Sequence, residues 1–127
     1  MTTLSRPTSP VTAGEFLAYL FFVRDTVHLT HLYQRSKNGW EHKALDKLYK
    51  EFTEQIDTLV ESYQGIYGQV SITIPKSEHT DPIPFVKGCY QYIESNRSIF
   101  KESWLQNIID EIQQLMAQTL FRLQFVK

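Results

Sequence analysis

Apolar residues recur at Phe16, Leu20, Val23 and Val27, the spacing of one helix face at about 100° per residue. The helix they predict opens behind Thr12, with Glu15 placed as the second member of a capping box, and runs to about Ser36. The sequence SKNG ends it, with Gly39 as the expected left-handed residue. A second stripe, Leu45, Leu48, Phe52, Ile56, Leu59 and Tyr63, predicts a helix from near Trp40 to about Gln64, stopped at GIYG by Gly65 and Gly68. Within Gln69–Pro84, QVSITIP alternates as a strand would. No second strand-like segment exists to pair with it, so an ordered connection is expected. A third helix begins around Pro82–Phe85, proline being tolerated in a first turn, and turns Phe85, Cys89, Tyr92 and Ile99 inward. A fourth spans about Glu102 to Phe125 with Leu105, Ile108, Ile112, Leu115, Thr119 and Leu123 on one face.

This pattern describes an all-α chain folded as a four-helix bundle over residues 12–127, preceded by a flexible arm of residues 1–11 rich in Pro, Ser and Thr. The longer connection between helices 2 and 3 predicts a crossover rather than simple up-and-down order.

A chain of 127 residues is enough for one domain with a modest core. A net charge of −1 gives no overall basic field, so nucleic acid is not an expected partner. The most apolar run, Phe16–Val23, is too short for the roughly 20 residues that span a bilayer, and the N-terminal residues carry no signal-peptide pattern. A single cysteine, Cys89, excludes an intrachain disulfide and suits a reducing compartment, so a cytoplasmic protein is expected.

Three of the four histidines, His28, His31 and His42, lie between the end of helix 1 and the start of helix 2. On a wheel with Leu48 at zero, His42, Asp46, Asp57 and Glu61 fall at about 120, 160, 180 and 220°, a polar strip beside the apolar stripe. His42 with Asp46, and Asp57 with Glu61, are i,i+4 pairs that each present two groups on one face. Imidazole and carboxylate together suit iron, manganese or zinc. His42 and Asp57 are roughly 22 Å apart at about 1.5 Å per residue, so one chain cannot close both pairs on one ion. A shared site requires two copies of helix 2 packed antiparallel, which a two-fold homodimer supplies twice over.

His31, the HKALD segment (His42–Asp46) and the DTLVE segment (Asp57–Glu61) resemble the ferroxidase ligand set of Dps proteins, the ferritin-like mini-ferritins. HKALDKLYKEFTEQIDTLVESYQG is also similar to small ferritin-like proteins encoded by bacteriophages. The resemblance covers Phe16 to Gly68. It implies a ferritin-like bundle in a homodimer or higher homo-oligomer, protecting against oxidative or starvation stress. It further implies that His31, His42 and Asp46 of one subunit face Asp57 and Glu61 of the next, with Fe(II) oxidised by oxygen or peroxide. His28 and Trp40 would stand in support around the ligands, and His28 could take the place of His31.

Other readings of these residues stay open. A strip of His, Asp and Glu is also what a solvated helix flank carries. That reading gives a non-enzymatic interaction or regulatory bundle, such as a phage accessory protein. A helical nucleotide pyrophosphohydrolase would use E-x-x-E and E-x-x-D pairs inside the bundle with magnesium, a spacing not matched here. Cys89 reads as a buried, inert thiol and His79 as a surface residue. Glu94, Asp110 and Glu111 could supply carboxylates inside the bundle, but no Glu-x-x-His pair accompanies them.

Overall fold

The computed structural model describes residues 11–33 and 39–126. Four helices account for most of them: α1 (Ala13–Tyr33), α2 (Gly39–Tyr67), α3 (Pro82–Asn96) and α4 (Ser103–Phe125), with a single 3-10 turn, Arg97–Ile99, before α4. No strand occurs among the described residues. Of the expected arm, residues 1–11, the first ten lie outside the described residues, as does the end of the predicted first helix beyond Tyr33, while Val11 packs against the core.

Local chemistry sets the helix ends. Thr12 donates its backbone N–H to Glu15 Oε1 at 2.8 Å, and the Glu15 N–H returns to Thr12 Oγ1 at 3.1 Å, so the expected capping box opens α1. At the far end of α2, Gly68 takes the left-handed φ of +86° and gives its N–H to the Gln64 carbonyl. Gly39 does not play that role. It is the first residue of α2, and Gly65 lies within the same helix.

Contacts between side chains fix the helix directions. His28 meets Tyr49 and His31 meets Asp46, so α1 and α2 are antiparallel. Phe22 packs on Phe85 while Phe16 packs on Tyr92, so α1 and α3 are antiparallel. Gln55 reaches the Glu111 carbonyl and Tyr67 bonds Glu102, so α2 and α4 are antiparallel as well. The α3–α4 hairpin is closed by Arg97, whose guanidinium donates to Gln106, Gln113 and Asp110. Helices α2 and α3 therefore run in the same direction. The expected crossover is present.

The chain between them, residues 68–81, is an extended strap laid along α1. Ser77 Oγ donates to the Phe22 carbonyl at 3.3 Å, the Thr80 N–H donates to Thr30 Oγ1 at 3.1 Å, and His79 stacks on Tyr33. Val70 and Ile72 pack against the core. At its start the strap nearly touches α1: a β-carbon on Gly14 would stand 2.7 Å from the Ser71 carbonyl oxygen.

The core is formed by Phe16, Leu20, Val23 and Val27 of α1 and Leu45, Leu48, Phe52, Ile56 and Leu59 of α2, as their spacing predicts. In α3 the register differs: Val86, Cys89 and Ile93 are buried, as is Phe100 beyond the helix, while Phe85, Tyr92 and Ile99 flank them. In α4, Leu105, Ile112, Leu115, Thr119 and Leu123 are buried as expected, and Ile109 is buried in place of Ile108. Each of these helices packs on two neighbours, so its apolar face is wide, and the centre of a wide face is poorly marked by periodicity.

Glycine substitutions separate the strap contact from helix propensity. Gly65→Ala, with nothing within 4 Å of the new methyl, should stabilise the fold by about 0.5–1 kcal/mol in urea titration. Gly14→Ala should do the opposite, losing roughly 1–3 kcal/mol because the strap must move away. Equal effects of the two changes would exclude a close strap.

Candidate metal-binding corner

The short corner between α1 and α2 brings three imidazoles together. His28 and His31, one turn apart on α1, face His42, Asp46 and Tyr49 on the opening turns of α2. The rings form a stack: Tyr49 to His28 at 4.4 Å, His28 to His31 at 5.7 Å, and His31 to His42 at 4.2 Å between centroids.

Hydrogen bonds orient the rings. His42 Nδ1 lies 2.8 Å from the His31 carbonyl oxygen. A carbonyl only accepts, so Nδ1 carries a proton and Nε2 points away from that bond. His31 stands between two acceptors, the His28 carbonyl 3.3 Å from Nδ1 and Asp46 Oδ1 3.5 Å from Nε2, so a ring N–H faces one or both of them. The other Asp46 oxygen, Oδ2, is held by Lys50 at 2.9 Å. His28 Nδ1 is buried without a hydrogen-bond partner among the described residues.

Burial pushes the His31 imidazole below its ordinary value of 6.5, assisted by His42 and opposed by the His28 carbonyl and Asp46. The Lys50 hydrogen bond holds the Asp46 carboxyl below its ordinary range. Around neutral pH the corner thus offers a neutral imidazole at His31, the imidazole of His42 beside it, and an ionised carboxylate at Asp46. These are donors for a borderline transition metal.

A single chain does not complete such a site. Among the described residues no three His, Cys, Asp or Glu side chains are arranged to hold a metal ion. Asp57 and Glu61 are exposed on the same helix, Asp57 roughly 17 Å beyond Asp46 at about 1.5 Å per residue. Trp40 is not beside the histidines. It lines a groove with Ala44, Lys47 and Arg122 on the flank of α2 that faces α4. Tyr49 and Lys50 went unread in the sequence, although both lie one turn from members of the strip.

The remaining candidates have structural duties. Glu94 accepts from Gln113, and Asp110 pairs with Arg97. Cys89 is buried beside Tyr19, and burial pushes its thiol up to about 12, so it stays protonated and unreactive. His79 is exposed but rests its ring on Tyr33 at 3.9 Å.

Comparison with known proteins places this corner in a family. The family described as "Family of unknown function (DUF5856)" matches residues 31–123, from His31 through nearly all of α4. The chain belongs to DUF5856. It is also similar to the "Uncharacterized 14.6 kDa protein in mobD-ri intergenic region" of Enterobacteria phage T4, at 28% identity over 122 residues, covering 94% of this chain and 93% of that protein. A phage-encoded relative agrees with the phage part of the resemblance drawn from the sequence. No solved structure matches the chain. No helix is long and apolar enough to cross a membrane among the described residues.

The shift at His31 has a defined sign. Its folded-state value is lowered, so the unfolded chain takes up the proton first, and stability falls as pH drops below 6.5 until folded His31 also titrates. The stabilisation from Asp46 is fully present above about 3.8 and is lost as pH falls below that through its depressed folded value. Urea unfolding near pH 7.5 and near pH 5.5 should show this loss in the native protein, and His31→Gln should flatten it.

Proposed function

We propose that this chain is a ferritin-like, Dps-like metal-binding protein that works as a homodimer or a larger homo-oligomer. His31, His42 and Asp46 of one copy would form half of a metal site, and Asp57 and Glu61 of a second copy would form the other half. The observation carrying this reading is the corner itself: two imidazoles and an ionised carboxylate, gathered from two helices. The up-down-down-up order of the helices, with one long crossover, is the connectivity of ferritin-like bundles and supports the same reading. Fe(II) would be the substrate, with oxygen or peroxide as oxidant and the carboxylates stabilising the ferric product; zinc or manganese would suit the same donors.

The outer face of α2 supports the antiparallel pairing. Its exposed charges are Lys43, Lys47 and Lys50 in the first half and Glu54, Asp57 and Glu61 in the second. They stand nine, five and two residues on either side of Phe52. Two copies of α2 laid antiparallel across that point oppose each lysine to a carboxylate. The same arrangement brings His42 near Glu61 and Asp46 near Asp57 of the partner. Exposed Phe121 and Phe125 on α4 favour a second reading, a non-enzymatic interaction protein without metal chemistry.

Mixed dimers distinguish the two. His42→Ala/Asp46→Ala and Asp57→Ala/Glu61→Ala proteins should each lose Zn(II) binding and Fe(II) oxidation. Mixed after unfolding and refolding together, they should regain about a quarter of the native sites, because each heterodimer rebuilds one intact site. A monomer by sedimentation, or no recovery on mixing, would exclude the shared site.

A further inference from the structure

We propose that Lys50 is an internal counter-cation of the α2 site: its ammonium holds the place of the metal at Asp46 until an ion enters, and then moves to Glu54 of the partner subunit. This inference rests on the antiparallel α2 pairing above and adds to it how metal binding is coupled to assembly.

The two oxygens of Asp46 have different partners. Oδ1 faces His31 Nε2 at 3.5 Å, and Oδ2 takes the Lys50 ammonium at 2.9 Å. Lys50 thus neutralises the one carboxylate that a metal at the histidine corner has to use. Its choice of partner is local. An acidic residue four positions before a lysine is the better i,i+4 order, so Lys50 leans back to Asp46 rather than forward to Glu54. Lys47, the neighbouring cation, is bonded to Glu51 instead. The Lys50 side chain is 70% exposed, so its bond to Asp46 is weak enough to exchange.

The pairing creates both a need for this cation and a second place for it. Two copies of α2 crossed at Phe52 bring Asp46 near the partner's Asp57, and adjacent carboxylates repel unless a positive charge lies between them. Lys50 supplies that charge. The same crossing sets Lys50 and the partner's Glu54 two residues from the centre on opposing helices. A divalent ion between Asp46 and the partner's Asp57 takes over the neutralising role and repels the ammonium, which the partner's Glu54 then receives. Metal entry exchanges a bond within one chain for a bond between chains. Metal therefore tightens the pair and, by linkage, pairing tightens the metal.

Lys50→Gln separates this role from that of an ordinary surface charge. Glutamine keeps the helix propensity, so the thermal melt should match the native protein. With metal removed by a chelator, sedimentation should show the Lys50→Gln dimer dissociating about two- to fivefold more readily. At concentrations where both proteins are dimeric, calorimetric titration should show Zn(II) bound about two- to fivefold more tightly by Lys50→Gln, because no ammonium has to leave. Lys50→Arg, which keeps the charge, should follow the native protein in both measurements. Glu54→Gln should weaken Zn(II) binding by a similar factor in the native background and have no effect beside Lys50→Gln. Zn(II) binding by a native dimer that Lys50→Gln leaves unchanged or weakens would overturn the proposal and spare the shared site. An equal effect of Glu54→Gln in both backgrounds would do the same. A native protein that stays monomeric or takes up no Zn(II) would overturn both.

Discussion

Two helices that follow one another in sequence yet run in the same direction force the chain to travel the length of the bundle between them. That constraint shapes the rest of the molecule. The strap spanning α2 to α3 has no strand to pair with, so side chains meet its backbone N–H groups, Gln64 of α2 at Val70 and Thr30 of α1 at Thr80. Helix α1 is therefore covered by α2, by α3 and by the strap. This explains FLAYLFFV: Phe16, Leu17, Ala18, Leu20 and Val23 are all buried because α1 has little solvent face to spend on polar residues.

The contrast between the long crossover and the short α1–α2 corner also positions the chemistry. The antiparallel packing of α1 and α2 brings the carbonyls near the end of one against the first side chains of the other, and His42 Nδ1 bonds the His31 carbonyl. One imidazole thus ties the two helices together and points its other nitrogen away from that bond. The neighbouring stack of His31, His28 and Tyr49 fixes the ring planes, leaving little rotamer freedom to lose when a ligand arrives.

Much of this was legible beforehand where the signal was local. Thr12 and Glu15 bond each other across one turn, so their spacing alone announces the helix start. The stripes of α1 and α2 are dense enough to fix the buried face. Gly39 misled because a glycine after a polar run suits either side of a helix boundary, and only the backbone at Gly68 needs a positive φ. The register of α3 slipped because Tyr19 and Tyr92 stack at 3.7 Å on the flank, which lets large aromatics look like core residues. The resemblance sets Trp40 among the histidines, but it stands two residues before His42, and two residues along a helix turn a side chain by about 200°.

Arg97 has a consequence beyond its own contacts. One guanidinium, fixed at the 3-10 turn, satisfies acceptors no more than sixteen residues away along the chain. The α3–α4 hairpin is thus held by short-range contacts, as is the α1–α2 pair by His31 with His42 and Asp46, and both close small loops with little entropy to overcome. The contacts between the hairpins join residues far apart in sequence, such as Gln55 with Glu111. The molecule is in this sense two locally specified pairs, and the entropic cost of making them one body is concentrated in the ordering of the strap.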